Sequence, residues 1–357
     1  MNSQSPIMSP IRWSVIILCV FMTGCSSLGY IAQATRGQIE IAFARTPIDE
    51  ILANKGADAE TRKRLELVKR IRRFAIDELD LPDNRSYTTY SELGRRYAVW
   101  NVVAAPAYSL TLKTWCFPMT GCLAYRGYFS EEKAEAYEQS LAERGYDTDL
   151  YGVVAYSTLG WFDDPVLDTF LHYPEHVLAG LIFHELAHQV VYVKDDTAFN
   201  EAFATAVEQE GVERWMRKYG DSSRVSEYRR AHERNSRVIG LILNYRNRLA
   251  EAYDSTGQDG LASAKGRILG ELTAAYESLS QKGEGTEYWD RWFSRELNNA
   301  RLGSIATYHS LVPAFRDVLS KSESMAGFYA AVAEQSERTA PERHAWLQSH
   351  MDEPSLP

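Results

Sequence analysis

The spacing of hydrophobic residues in the front half of the chain predicts a mixture of helices and strands. In some stretches apolar residues recur at three- and four-residue steps, which is the period of a helix with one buried face. Other stretches are short apolar runs rich in β-branched and aromatic residues, which is typical of strands. Helices are predicted at 60–79 and 131–145, and strands at 86–90, 97–105, 123–129 and 151–160.

The back half of the chain shows the helical period almost everywhere. Beyond Lys218, helices are predicted at 226–253, 261–279, 286–297, 313–319 and 325–335. The last residues, from Pro341 onwards, are predicted to form a loose tail. The pattern as a whole predicts an α+β protein that is predominantly helical.

The N-terminus has the features of an export signal. Arg12 precedes the apolar run 15–22, which is followed by Thr23, Gly24 and Cys25. A positive start, a short apolar core and small residues before the cleavage point describe a secretory signal, and the run is too short to span a membrane comfortably. Residues 22–25 resemble the bacterial lipobox, which implies that residues 1–24 are removed and Cys25 is lipidated.

Lipidation would attach the protein to a membrane through its N-terminus. The residues after Cys25 are Ser26 and Ser27, which resembles lipoproteins that are sorted to the outer membrane and face the periplasm. We therefore expect a location in the bacterial cell envelope. The alternatives are an ordinary cleaved signal and an uncleaved anchor.

Composition adds two constraints. The net charge of -9 argues against a nucleic-acid-binding protein. Apart from Cys19 and Cys25, the cysteines are Cys116 and Cys122. A pair of cysteines in an oxidising compartment favours a disulfide, and the alternatives are two free thiols or a soft metal site.

The chemistry is concentrated in residues 181–188, which contain the pattern H-E-x-x-H in an apolar helix. His184 and His188 lie one helical turn apart, so both imidazoles face the same side and can bind one zinc ion. Glu185 lies beside them, where it can take a proton from a zinc-bound water. The pattern predicts a catalytic zinc site that lacks its third protein ligand.

Two glutamates can supply that ligand. The polar residues 194–197 are expected to end the motif helix and begin a second, antiparallel helix. At 1.5 Å per residue, Glu201 on the second helix lies level with His188. Glu208 lies two turns further on, level with residue 182 and within reach of His184. Spacing alone does not choose between them.

The sequence H-E-x-x-H followed by N-E-x-x-A resembles the gluzincin metallopeptidases, although the connection between the two motifs is shorter here. The resemblance implies that Glu201 is the third zinc ligand and that Asn200 supports it. Glu208 is a candidate for a carboxylate that holds a ring nitrogen of a zinc-binding histidine, and the alternative is an ordinary glutamate on the helix surface. Longer stretches resemble the bacterial "putative aminopeptidase" lipoprotein family, namely 100–106, 115–129, 155–160 and 184–208.

The resemblance also implies a peptide substrate. In thermolysin-like enzymes, a strand upstream of the motif binds the backbone of an extended peptide, which assigns that role to 153–159 and in particular to Ala155, Tyr156 and Ser157. The alternative is an ordinary core strand. A phenol is expected to stabilise the oxyanion, with Tyr308 as the first choice and Tyr156 and Tyr192 as alternatives.

The sequence therefore predicts a zinc peptidase, an aminopeptidase by resemblance, with one zinc ion and Glu185 as general base. The alternatives are a zinc endopeptidase, since the exopeptidase signature G-x-M-E-N is absent, and a non-catalytic envelope scaffold. In the predicted organisation, a small mixed sheet packs on a zincin-type helix pair. The predicted units are a signal peptide at 1–24, a metallopeptidase region at 25–220, a helical region at 221–340 that completes the cleft, and a tail at 341–357.

Overall fold

The computed structural model describes residues 29–30, 33–41, 43–117, 120–155, 157–158 and 162–351. The predicted signal peptide, the lipidation candidate Cys25 and the substrate-binding candidate Tyr156 lie outside these residues. Within them, no helix is both long enough and apolar enough to cross a membrane.

From Arg45 onwards, the described residues form eight strands and thirteen α-helices. The strands are β1 (Arg45–Pro47), β2 (Thr89–Ser91), β3 (Val99–Pro106), β4 (Trp115–Phe117), β5 (Gly121–Leu123), β6 (Arg126–Tyr128), β7 (Tyr146–Val153) and β8 (Val166–Leu167). The helices of the front half are α1 (Ile48–Ala53), α2 (Ala59–Leu79), α3 (Glu131–Ala142), α4 (Asp168–Leu171), α5 (Glu175–Ala187) and α6 (Thr197–Tyr219). Those of the back half are α7 (Ser222–Ser255), α8 (Leu261–Leu279), α9 (Glu287–Phe293), α10 (Asn299–His309), α11 (Val312–Lys321), α12 (Met325–Ser336) and α13 (Ala340–Met351).

The strands form three small sheets. In the first, with the order β1-β2-β8, β2 is antiparallel to β1 and parallel to β8. The second has the order β6-β3-β7 and is antiparallel throughout. The third is the β4-β5 hairpin. The prediction of a predominantly helical α+β fold with a small mixed sheet is therefore confirmed.

Strand β3 is buried because helices cover both faces of the β6-β3-β7 sheet. Val102 and Ala104 pack with residues of α3, whereas Val103 and Ala105 pack against Ala300 of α10. A strand that is covered on both sides has an uninterrupted apolar sequence, which explains why the prediction at 97–105 is confirmed.

The strand predicted at 151–160 lies earlier in the chain. All eight residues of β7 pair with β3, from Tyr146 opposite Pro106 to Val153 opposite Val99, so the strand ends where its partner begins. The predicted substrate-binding strand at 153–159 is therefore wrong as a strand, because residues 154–155 and 157–158 are irregular. Polar residues at 147–149 hid the start of β7.

The motif helices α5 and α6 pack in the largest hydrophobic core, together with residues of α2, α11 and α12. Two glycines permit their close approach. A Cβ on Gly180 of α5 would meet Glu208 Cγ at 3.2 Å, and a Cβ on Gly211 of α6 would meet the Phe183 ring at 2.5 Å. The predicted antiparallel pair is confirmed, with a connection that covers residues 188–196.

Two helices in the back half differ from the prediction. Helix α10 was not predicted, although it packs on the β6-β3-β7 sheet and carries Tyr308. The prediction of a loose tail from Pro341 is wrong as far as Met351, because α13 covers these residues and buries Leu347. Few apolar residues mark α13, and its buried Arg343 forms an ion pair with buried Asp196.

Candidate metal centre

The motif histidines occupy the end of α5. His184 lies in its last turn, and His188 caps the helix. Their rings meet edge to face with centroids 4.9 Å apart, as expected for two residues one turn apart. His188 is buried, and His184 is partly exposed.

Helix α6 brings two carboxylates to these rings. Oε2 of Glu201 lies 3.3 Å from Nε2 of His184 and 3.6 Å from Nε2 of His188. Two turns further along the helix, Oε2 of Glu208 lies 3.1 Å from Nδ1 of His184. Both glutamates considered from the sequence therefore reach the histidines, but they contact different ring nitrogens.

Charge interactions within this cluster are strong. Burial alone would raise the pKa of Glu201, but hydrogen bonds with His184 and His188 lower it to about 2. Burial alone would lower the pKa of His184, but hydrogen bonds with Glu201 and Glu208 raise it well above its usual range. Burial raises the pKa of Glu185, against the opposing charges of the two histidines.

His184, His188 and Glu201 could hold one metal ion. One ligand atom from each lies within 4.8 Å of the others. Two imidazole nitrogens and one carboxylate oxygen form a donor set that zinc accepts. The residues present therefore fit a metal.

The loop between the helices is fixed by two polar side chains. Asn200 accepts a hydrogen bond from the backbone N–H of Val193 and donates one to its carbonyl, both at 2.7 Å. Asp196 caps α6 through the N–H of Phe199. The sequence assigned Asn200 to the support of Glu201, and the structure shows that it clamps the preceding loop.

Several tyrosines surround Glu201. The charge of Glu201 raises the pKa of Tyr308 and of Tyr192, although burial is the larger cause for both. Burial also raises the pKa of Tyr125 and of Tyr151, and the charge of Glu201 adds to the effect for both. Neither Tyr125 nor Tyr151 was predicted from the sequence as a site residue, because composition does not distinguish among the 21 tyrosines of the chain.

His309 is another residue near the site that was not predicted from the sequence. It follows Tyr308 at the end of α10, and burial lowers its pKa to about 4 while the charge of Glu208 opposes that change. An imidazole with so low a pKa is neutral near neutral pH. Recognising it would have required the prediction of α10.

Cys116 and Cys122 form a disulfide across the β4-β5 hairpin. The hairpin contacts the loop between α5 and α6 directly. Cys122 donates its backbone N–H to Oδ1 of Asp195 at 2.6 Å, and Tyr192 donates its hydroxyl to the carbonyl of Thr120 at 2.9 Å. The disulfide-linked hairpin is therefore hydrogen-bonded to the loop that joins the motif helices α5 and α6.

Of the three residues predicted to bind substrate, two are described. Ala155 is buried, and Ser157 is partly buried beside Asp164 and Glu185. The structure therefore brings Ser157 to the motif helix through its side chain.

One family model matches the chain. It is described as "Putative aminopeptidase" and covers residues 29–347. No curated protein and no solved structure matches the chain. The match covers most of the chain, including both motif helices, and the chain therefore belongs to the family described as "Putative aminopeptidase".

Proposed function

We propose that the protein is a zinc-dependent peptidase of the aminopeptidase type, with Glu185 as its general base. The family's description suggests peptidase activity. The observation that carries the proposal is the convergence of His184, His188 and Glu201 next to Glu185. The pairing of H-E-x-x-H with N-E-x-x-A, which resembles the gluzincins, supports zinc as the metal.

The residues of the chain divide the reaction between them. Bound zinc would polarise the peptide carbonyl and make the attacking water more acidic. The carboxylate of Glu185 accepts a proton from that water and then delivers it to the nitrogen of the leaving amine.

The tyrosines near Glu201 supply a donor for the oxyanion. Burial raises the pKa of Tyr308 well above its usual range, so the phenol keeps its proton and can donate a hydrogen bond. Tyr192 already donates its hydroxyl to Thr120. We therefore propose Tyr308 as the oxyanion donor.

The test combines metal content with peptide hydrolysis. We expect one equivalent of zinc in the purified protein, release of the first residue from unblocked peptides, and no release by Glu185→Gln with zinc retained. Glu287→Gln removes an equally sized charge from an exposed site on α9 and should behave like the wild type.

Other outcomes would redirect the proposal. Internal cleavage of an N-blocked peptide would identify an endopeptidase. Zinc binding without cleavage of any peptide by the wild type would indicate a scaffold that kept the site. Absence of stoichiometric zinc would remove the basis of the mechanism.

We also propose that the protein is anchored through Cys25 in the bacterial outer membrane, facing the periplasm. The support is the sequence of residues 12–27, which has a positive start, an apolar core and a lipobox-like end. Membrane fractionation of wild type and Cys25→Ala tests this. Release of the variant into the soluble fraction is expected, and an unchanged membrane fraction would contradict the anchor.

A further inference from the structure

A buried carboxylate that the proposed mechanism does not use lies near the general base. Asp164 precedes β8 and is 1% exposed. The backbone N–H of Thr158 lies within 3.1 Å of both its carboxylate oxygens, and the Thr158 hydroxyl donates to it at 2.8 Å. Ser157 donates its hydroxyl at 3.2 Å. These donors compensate for the loss of water around a buried carboxylate.

The backbone of Asp164 is attached to the segment before β2. Tyr87 donates its N–H to the carbonyl of Asp164 at 2.6 Å, and the N–H of Asp164 donates to the Ser86 hydroxyl at 3.3 Å. Gln189, the residue after His188, donates to the same hydroxyl. Asp164 is thus fixed to a framework that also contacts the end of the motif helix.

Ser157 connects this framework to the base. It donates to Asp164 at 3.2 Å. Burial raises the pKa of Glu185, and the neighbouring Ser157 hydroxyl acts in the opposite direction, which places that hydroxyl beside the Glu185 carboxylate. Burial, together with the smaller effect of the Glu185 charge, raises the pKa of Asp164 to about 6 against the hydrogen bonds from Thr158. This interaction is expected of two carboxylates that lie on either side of one hydroxyl.

A hydroxyl has one proton, so Ser157 can donate to only one carboxylate at a time. Asp164 retains the backbone N–H of Thr158, which lies within 3.1 Å of both its oxygens, when Ser157 turns towards Glu185. The Ser157 proton is therefore available to Glu185 without leaving the buried Asp164 unsatisfied.

We propose that Ser157 and Asp164 are positioning residues for Glu185. Asp164 holds residues 157 and 158 in place, and the Ser157 hydroxyl fixes the orientation of the Glu185 carboxylate towards the water that it deprotonates. This inference rests on the proposed function. It gives the Ser157 side chain a different role from the peptide-backbone contact expected from the sequence.

A merely structural role makes a different prediction. If Asp164 only clamps its own loop, its loss lowers stability without a selective effect on turnover. If Asp164 and Ser157 position Glu185, loss of the Ser157 hydroxyl lowers kcat, because Glu185 acts in the transition state. KM, zinc content and thermal stability should then stay near their wild-type values.

The experiment compares Ser157→Ala, Ser157→Thr and Asp164→Asn in the zinc-loaded protein. We expect Ser157→Ala to lower kcat by about 10- to 100-fold, the range typical of residues that orient a catalytic group indirectly. Ser157→Thr keeps the hydroxyl and should recover most of that loss. Ser226→Ala removes an exposed hydroxyl on α7 and serves as the matched control.

Asp164→Asn should lower kcat in the same way, because its amide has one acceptor oxygen and must turn an N–H donor towards either the Ser157 hydroxyl or the Thr158 N–H. If this variant does not fold, the Ser157 series decides alone. Wild-type kcat in Ser157→Ala, or a loss that Ser157→Thr does not recover, would overturn the inference.

A crystal structure of Ser157→Ala separates this inference from the proposed function. We expect the Glu185 carboxylate to leave its wild-type orientation, whether or not a peptide substrate is known. An unchanged Glu185 overturns the positioning role. A wild type that binds zinc but cleaves no peptide overturns the proposed function, and the displacement of Glu185 is then still measurable.

Discussion

Nδ1 of His184 lies 3.1 Å from Oε2 of Glu208, on the opposite side of the ring from the Nε2 that faces Glu201. A carboxylate on one imidazole nitrogen fixes the ring and leaves the other nitrogen to bind a metal. Gly180 makes room for this contact, because its missing Cβ would lie 3.2 Å from Oε1 of Glu208. Glu208 therefore orients a proposed metal ligand.

The first prediction concerns Glu208. Replacing it with Ala should weaken zinc affinity by about 10- to 100-fold, because His184 loses the partner that orients its ring. Competition with a chromophoric chelator measures the change. Glu208→Gln, which keeps an oxygen acceptor, should lose less, and Glu251→Gln at an exposed position on α7 should lose nothing. An unchanged Kd in Glu208→Ala would show that the contact does not support the metal.

The second prediction concerns the pH dependence of the contact between α13 and α6. The hydrogen bond to Asp196 raises the pKa of His344. Hydrogen bonds with His344 and Arg343 lower the pKa of Asp196, although burial opposes them. The raised pKa stabilises the fold below the usual pKa of histidine, and the lowered one stabilises it above the usual pKa of aspartate. The pair therefore contributes most between about pH 4 and pH 6.5.

His344→Gln should accordingly reduce the free energy of unfolding at about pH 5.5 and have little effect at about pH 8.5. The reduction should be about 0.5 kcal/mol, because the His344 side chain is 45% exposed and solvent screens the pair. Urea unfolding at both pH values measures it. The exposed His172→Gln is the control, and an equal loss at both pH values would argue against the ion pair.

The third prediction concerns the disulfide. The separation of six residues between Cys116 and Cys122 closes a short loop, so its removal should cost about 2 kcal/mol of stability. Because the hairpin donates to Asp195 and accepts from Tyr192, the Cys116→Ser, Cys122→Ser double variant should also bind zinc more weakly. Denaturation and chelator competition measure these effects.

A reducing agent supplies the control for the disulfide. Reduction of the wild type should reproduce the behaviour of the double variant, and the same agent should leave the double variant itself unchanged. If the two cysteine substitutions lower stability while the affinity for zinc stays at the wild-type value, the hairpin does not support the metal-site loop.

The motif helices could be predicted from the sequence because local signals marked their chemistry and their ends. The apolar period around His184 marked α5, and Asp196, which caps α6, marked the start of the next helix. Similar lengths of chain on either side of the loop then placed Glu201 level with His188 and Glu208 within reach of His184. The relative positions of the two histidines and the two glutamates follow from the helical repeat of 3.6 residues per turn.

The surroundings of the motif could not be predicted, because they depend on contacts between distant segments. Helix α10 has small and polar residues at its start, and Asn299 is buried there through hydrogen bonds to the distant backbone carbonyls of Pro106 and Ala107. From the sequence, Asp164 looks like an ordinary turn residue. Only the structure shows that Ser157 and Thr158 donate hydrogen bonds to its carboxylate. Neither hydrophobic period nor motif spacing records such partners.

The last prediction tests the close packing of α5 on α6. A Cβ at Gly211 would lie 2.5 Å from the Phe183 ring and 2.8 Å from Leu79, so Gly211→Ala should overpack the core and cost about 1–3 kcal/mol. Gly240 on α7 offers the matched control, because nothing lies within 4 Å of its added Cβ. There, Gly→Ala should stabilise the helix by about 0.4–1 kcal/mol, since alanine loses less backbone entropy on folding. Denaturant unfolding of both variants measures the two changes. Opposite signs are expected, and a stabilising Gly211→Ala would mean that the two helices are not packed as closely as the structure shows.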